Sequence, residues 1–124
     1  MKLSVKETLV QGRALLARSE DCKRYYAKDR EGHAIDCDSP HAVGFCILGA
    51  CAAVNGEENG FYIDHKLGDV LFNAIEGDSI TEFNDTHTKE ECLQVFDRAI
   101  AALDVKEFIT HCEEQPLSLG ESHV

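Results

Sequence analysis

Apolar side chains recur at helical spacing in four stretches of the chain, and the residues between them are rich in capping and turn types. Val5, Leu9, Gly12 and Leu16 follow Ser4-Val5-Lys6-Glu7, which has the form of a capping box: the serine hydroxyl accepts one orphan N–H, and the glutamate reaches back for another. The spacing predicts a helix over 5–17, ended by Ser19, Glu20 and Asp21. Arg24-Tyr25-Tyr26-Ala27 and His33-Ala34-Ile35 then flank Asp29-Arg30-Glu31-Gly32, a turn-like tetrad with glycine placed for a left-handed residue. This predicts a short β-hairpin at about 24–36, which needs helices to pack on.

Ser39-Pro40 reads as an N-cap followed by a first helical position, where the missing N–H of proline costs nothing. From His41 to Val54 the chain runs HAVGFCILGACAAV, apolar around its whole circumference, with Asn55-Gly56 as the stop. Too short to span a bilayer, such a segment is expected to be a buried central helix over about 41–54. Gly44, Gly49 and Ala50 would let a neighbouring backbone come close.

Beyond a polar connection at 57–62, Asp64 can cap a helix carrying Leu67, Val70, Leu71, Ala74 and Ile75, closed by Gly77. Ser79 to Phe83 reads as extended, and Asn84-Asp85-Thr86-His87-Thr88 as a turn dense in capping residues. Thr88 with Glu91 makes a second capping box, behind which Cys92, Leu93, Phe96, Ala99, Ile100 and Leu103 share one face. Val105, Phe108, Ile109 and Cys112 are offset from that stripe, which predicts a kink or a new helix capped by Asp104. The expected fold is mainly α: a single domain over 1–114, with four to five helices around residues 41–54 and a two-stranded ribbon, then a frayed tail at 115–124.

Charge sharpens this picture. The 124 residues carry a formal net charge of −11, which disfavours binding to nucleic acid. Residues 1–30 hold eight basic groups against four acidic, and the remainder four against nineteen. Either the basic first third packs on the acidic remainder, or the acidic part forms a surface that docks on a basic partner and imitates the charge of nucleic-acid phosphate. The start, MKLSVKETLVQGRALLA, is interrupted by Lys6, Glu7 and Arg13 where a secretory signal needs an unbroken apolar run, and no apolar run reaches membrane-span length. A cytoplasmic location is expected, with the six cysteines held as thiols and mostly buried.

Few constellations carry chemistry. His33, Cys37, His41 and Cys46 are the one cluster of soft ligands, but their spacing is not that of a zinc knuckle, and His41 and Cys46 on one helix would project roughly 140° apart. They are weak metal candidates, and no cofactor is expected. Cys92 and Cys112 fall on apolar stripes, which predicts inert sulfur rather than a nucleophile. Asn84-Asp85 exceeds what one cap requires. One reading has Asp85 capping the 88–103 helix with Asn84 in a left-handed turn; the other makes Asn84, Asp85 and His87 a polar rim for a ligand or partner. Tyr25-Tyr26 sits among Lys23, Arg24 and Lys28, but the overall negative charge opposes a nucleic-acid patch there. Phosphate-binding loops, dinucleotide fingerprints, nucleophile elbows and EF-hand loops are absent from the sequence.

The segments Ser39-Pro40-His41-Ala42-Val43-Gly44-Phe45-Cys46-Ile47-Leu48-Gly49-Ala50, Phe83-Asn84-Asp85 and Val95-Phe96-Asp97-Arg98-Ala99-Ile100 resemble an uncharacterised family of small bacterial and phage proteins. That family, a domain of unknown function, has a C-x-L-G-A helix, then an aromatic-Asn-Asp turn, then a helix ending in D-x-A-I. The resemblance spans roughly residues 5–103. It departs at Phe83, where the family usually has Trp, and at 86–89, where the family often has Arg and this chain offers His87 and Lys89. The resemblance implies no reaction and no ligand. The expectation is therefore a non-catalytic protein-binding module, of phage or mobile-element origin, acting on a basic partner. The alternative is a small-molecule-binding domain or enzyme using Asn84, Asp85 and His87.

Overall fold

The computed structural model describes residues 3–60, 64–75 and 79–114, with side chains placed as far as residue 105. The first capping box forms as its spacing predicts. Ser4 Oγ accepts from the Glu7 N–H at 3.1 Å and Glu7 Oε1 accepts from the Ser4 N–H at 2.9 Å, opening helix α1 (Val5–Ala17). Its buried stripe of Leu9, Gly12 and Leu16 is the predicted one.

Three two-residue strands follow, β1 (Glu20–Asp21), β2 (Ala27–Lys28) and β3 (Gly44–Phe45), in the order β1-β3-β2. The central strand β3 runs parallel to β1 and antiparallel to β2. The hairpin predicted at 24–36 exists in reduced form. Lys28 bridges Ala34, the Asp29 N–H donates to the His33 carbonyl at 2.9 Å, and Gly32 takes the left-handed conformation at φ 88°. Its main pairing, though, is with β3.

That strand corrects the predicted helix over 41–54. Helix α2 covers only Ile47–Val54. Val43 and Cys46 donate their N–H groups to the carbonyls of Lys28 and Tyr26, and Glu20 donates to Val43, so residues 43–46 satisfy their backbone across a sheet. A short, wholly apolar run is equally suited to a buried strand and a buried helix, and periodicity cannot separate them. Ser39 does not cap a helix either; its Oγ accepts from the His41 N–H at 3.1 Å in a local turn. The N-cap is Cys46, whose Sγ accepts from the Gly49 N–H at 3.2 Å.

Gly49 is where the predicted close approach occurs. A Cβ there would stand 2.6 Å from the Tyr26 carbonyl carbon and closer still to its oxygen, so the 22–28 segment can lie on α2 only because residue 49 is glycine.

Helix α3 (His65–Ile75) starts as expected, with Asp64 Oδ2 accepting from the Lys66 and Leu67 N–H groups at 3.0 and 3.3 Å; Gly77, expected to end it, lies outside the described residues. The stretch read as extended is instead a helix, α4 (Ile80–Thr86), because Ser79 Oγ accepts from the Glu82 N–H at 3.0 Å and supplies the start signal. The second capping box forms between Thr88 and Glu91 and opens α5 (Lys89–Glu114). This helix runs on through Asp104, which lies in its interior and pairs with Lys6 at 2.7 Å rather than capping a new helix. The shifted stripe begins at Val105, 57% exposed; the side chains of Phe108, Ile109 and Cys112 lie outside the described ones. The expected tail at 115–124 lies outside the described residues.

The fold is mainly α, with five helices and the small sheet among the described residues. Residues 47–52 of α2 are all buried, and α2 packs on α1 and α4, with α5 against both α1 and α3. Leu9, Leu16, Ile47, Leu71, Val95 and Phe96 are completely enclosed, each contributing roughly 1.5–3 kcal/mol of hydrophobic stabilisation. Among the described residues no helix is long and apolar enough to cross a membrane.

Candidate functional site

A cleft of about 370 Å³ opens between the ribbon at 24–27 and 34–36, the start of α2, the loop at 58–59, and α4. The ribbon stretch 22–26 has neither helix nor strand, so side chains must hold its backbone. Asn84, 1% exposed, donates from Nδ2 to the Cys22 carbonyl at 2.8 Å and accepts the Ile47 N–H on Oδ1 at 3.1 Å. Asp85 Oδ1 accepts the Arg24 N–H at 2.8 Å, the Cys22 thiol donates to the Tyr25 carbonyl at 3.3 Å, and the Cys46 N–H donates to the Tyr26 carbonyl at 3.1 Å. Arg24 takes a positive φ of 75°, a conformation costing an L-residue about 1–2 kcal/mol, and Asp85 helps to hold it there.

Lys23 completes the joint from the other side. Its ammonium donates to the carbonyls of Asn84 and His87 at the end of α4, where the helix leaves carbonyls unpaired, and pairs with Asp21 at 2.9 Å. Lys89 serves α1 in the same way, reaching the carbonyls of Ala17 and Ser19 at 3.0 and 2.6 Å.

The structure thus places Asn84 and Asp85 at the cleft but separates their roles from those expected. Asn84 is helical rather than left-handed, and its amide is committed to the backbone on both sides. Asp85 does not cap the following helix, since Thr88 does. It is exposed and borders the cleft. His87 stands apart: its ring stacks on Phe83 with centroids 3.7 Å apart, and Nδ1 lies 2.9 Å from the Phe83 carbonyl.

Sequence reading missed Asp36 and Glu58, which border the cleft with Asp85, and did not assign Tyr25 or Tyr26 to it. Nothing local marks those two acids; the Cys37 N–H donates to the Glu58 carbonyl at 2.6 Å and ties the two loops that carry them. A neighbouring hollow of about 400 Å³ shares Glu58 and Asn59 and adds Asp38 and Glu57, so the two form one continuous acidic strip.

Among the described residues, four basic residues of the first third form ion pairs, Lys23 with Asp21 among them. Arg13 grips Asp97 through both Nε and Nη2, Lys6 pairs with Asp104, and Lys28 with Glu20. Two basic groups of the first third thus pair with acids of α5, Lys6 with Asp104 and Arg13 with Asp97, while Arg24 borders the cleft itself.

The four soft ligands are not brought together. His33 and His41 are exposed, Cys37 and Cys46 are buried, and neither His41 nor Cys46 lies within a helix. Among the described residues no three His, Cys, Asp or Glu side chains are grouped to hold a metal ion. Cys22, Cys37, Cys46, Cys51 and Cys92 are free, buried thiols. Burial pushes Cys37 and Cys46 up to about 12 and Cys92 to about 11, and raises Cys22 and Cys51 as well. Cys46, at the back of the cleft, is therefore a protonated cap and not a nucleophile at neutral pH.

Neither a curated protein nor a solved structure matches the chain. A family model matches residues 1–102, most of the chain and all of the cleft, and on that match the chain belongs to the Family of unknown function (DUF6197).

Proposed function

We propose that this protein is a small, non-catalytic binding module that docks on a basic protein partner through the acidic strip around the cleft. The observation that carries the reading is the convergence of Asp36, Glu58 and Asp85 on one cleft, extended by Asp38 and Glu57 in the adjoining hollow. Carboxylates gathered on one face steer a cationic partner and raise its association rate. Burial, which raises the Cys46 thiol, speaks against nucleophilic chemistry at this place, and the free thiols suit a reducing, cytoplasmic setting. The motif resemblance extends the proposal to a phage or mobile-element origin, with the partner a host protein of basic surface.

A small-molecule site is the second reading, favoured by the volume of the cleft. It is the weaker one, because Asn84 has spent its amide on the fold and His87 faces Phe83, leaving only Asp85 of the three to meet a ligand. The test is a pull-down from host lysate at low and high salt, run beside a variant carrying Asp36→Asn, Asp38→Asn and Glu58→Gln. The expected partner is lost at high salt and from the variant. A partner that both proteins retain at high salt would refute the electrostatic mechanism.

A further inference from the structure

The acidic strip selects a charge, and the cleft within it has the volume to take a side chain. Resting on the binding-module reading, we infer that the cleft receives one arginine side chain of the partner, its guanidinium among Asp36, Glu58 and Asp85 and its methylenes on Ala34 and Ile35.

Size comes first. At roughly 30 Å³ per water, about 370 Å³ holds on the order of a dozen waters, the room of one long side chain and its hydration rather than of a helix. Charge comes next. Three carboxylates border the cleft against one guanidinium, that of Arg24, so the opening is net negative and an anion is disfavoured. The three carboxylates come from three separate segments, Asp36 from the ribbon, Glu58 from the 58–59 loop and Asp85 from α4.

The lining decides between arginine and lysine. Tyr25 is 46% exposed at the cleft, and Ala27, Ala34, Ile35 and Cys46 give it an apolar wall. A guanidinium is planar, weakly hydrated, stacks on aromatic faces and can fork between carboxylates, whereas an ammonium is a strongly hydrated point charge that loses its water reluctantly. An apolar, aromatic-sided cleft bordered by three carboxylates matches the guanidinium. The tyrosine is not free to swing away with its backbone, because the Tyr25 and Tyr26 carbonyls are both hydrogen-bonded.

The experiment is a titration of the isotopically labelled full chain, followed by amide resonances, with three short capped Gly/Ser peptides. Their central residue is arginine, lysine or citrulline. The arginine peptide is expected to move the Tyr25, Ala34, Ile35 and Glu58 resonances and to bind about five to ten times more tightly than the lysine peptide, with citrulline inert. Asp36→Asn with Glu58→Gln should weaken it about tenfold at unchanged urea midpoint. Arg24→Gly, which removes the opposing cation and relieves the positive φ, should tighten it about threefold. If arginine and lysine peptides bind alike, with shifts spread beyond the cleft, the arginine assignment is overturned while the acidic-face reading stands. If no basic peptide shifts any resonance and polylysine at low salt also fails to bind more tightly to the wild type than to the charge-reduced variant, both fall.

Discussion

Asn84→Ala tests how the cleft is held. In the folded protein the Asn84 amide is the partner of two buried backbone groups, the Cys22 carbonyl at 2.8 Å and the Ile47 N–H at 3.1 Å, and the Cys92 thiol lies 3.6 Å from the same Oδ1. Alanine removes both partners at once. A buried donor or acceptor left unpaired costs about 1–3 kcal/mol, so two of them, with the packing lost, give an expected destabilisation of about 3–5 kcal/mol. Against a typical total of roughly 5–15 kcal/mol that is a large fraction, equivalent to a drop of roughly 10–20 °C in Tm. Urea unfolding followed by far-UV circular dichroism would show a lowered midpoint at an unchanged slope.

Asn84→Asp adds a pH arm. The carboxylate can still accept from Ile47 but meets the Cys22 carbonyl lone pair against lone pair, in a buried place, so its folded pKa is raised above the ordinary value of about 3.9. Lys23, on the Asn84 carbonyl, opposes that rise without removing it. A raised acid is most favourable to folding below its unfolded pKa, and the benefit is lost as pH climbs through the folded pKa. The deficit of Asn84→Asp relative to wild type should therefore be small near pH 4 and grow toward pH 7. A cost below about 1 kcal/mol for Asn84→Ala, or a deficit for Asn84→Asp independent of pH, would refute the reasoning.

Gly49→Ala is expected to cost more than about 3 kcal/mol or to prevent folding, since its Cβ would overlap the Tyr26 carbonyl, a backbone group that cannot step aside; soluble expression and the urea midpoint check it. Alkylation of the native protein at pH 8, mapped by mass spectrometry, should be slow at Cys22, Cys37, Cys46, Cys51 and Cys92 and accelerate together in sub-denaturing urea; fast modification of Cys46 alone would contradict its protonated, enclosed state. Because these thiols titrate higher in the folded state than the ordinary 9.0, their neutral form supports folding fully below pH 9.0, and that support is lost as pH rises toward about 11 to 12, so the urea midpoint should hold level to about pH 9 and then fall.

What was legible in the sequence was whatever local chemistry decides. Ser4 with Glu7, Thr88 with Glu91, Asp64 and the Asp29–Gly32 turn announce themselves within four residues, and each forms. The apolar stripe of α1 was equally plain. The errors fell where a distant partner decides. Gly44 and Phe45 become the central strand because Glu20 and Lys28 flank them, contacts separated by some sixteen to twenty-four positions in the chain. Ser79-Ile80-Thr81-Glu82 carried a local S-x-x-E start signal of the same form as the other two, and its hydroxyl caps α4 by accepting the Glu82 N–H, although the stretch reads as extended. Of the cleft, only Asn84 and Asp85 stood out; Asp36 and Glu58 are ordinary loop acids, on two loops that the Cys37–Glu58 backbone bond ties.

The cleft wall is built differently from the core, and this shapes what a ligand can do to it. Two-residue strands supply little pairing of their own, so the 22–26 segment owes its position to polar contacts made by Asn84, Asp85, Lys23 and the Cys22 thiol, with the Cys46–Tyr26 backbone bond beside them. Polar ties of this kind contribute about 0.5–1.5 kcal/mol each when whole, far less together than the enclosed leucines and phenylalanine beneath them. The joint between the ribbon and α4 therefore opens at less cost than the enclosed core. A guanidinium held between Asp85 on α4 and Asp36 on the ribbon would add one more tie across that same joint. Binding would then be reported first by slower amide exchange at residues 22–26, and the selectivity of the cleft would depend on Asn84 even though its amide never meets the ligand.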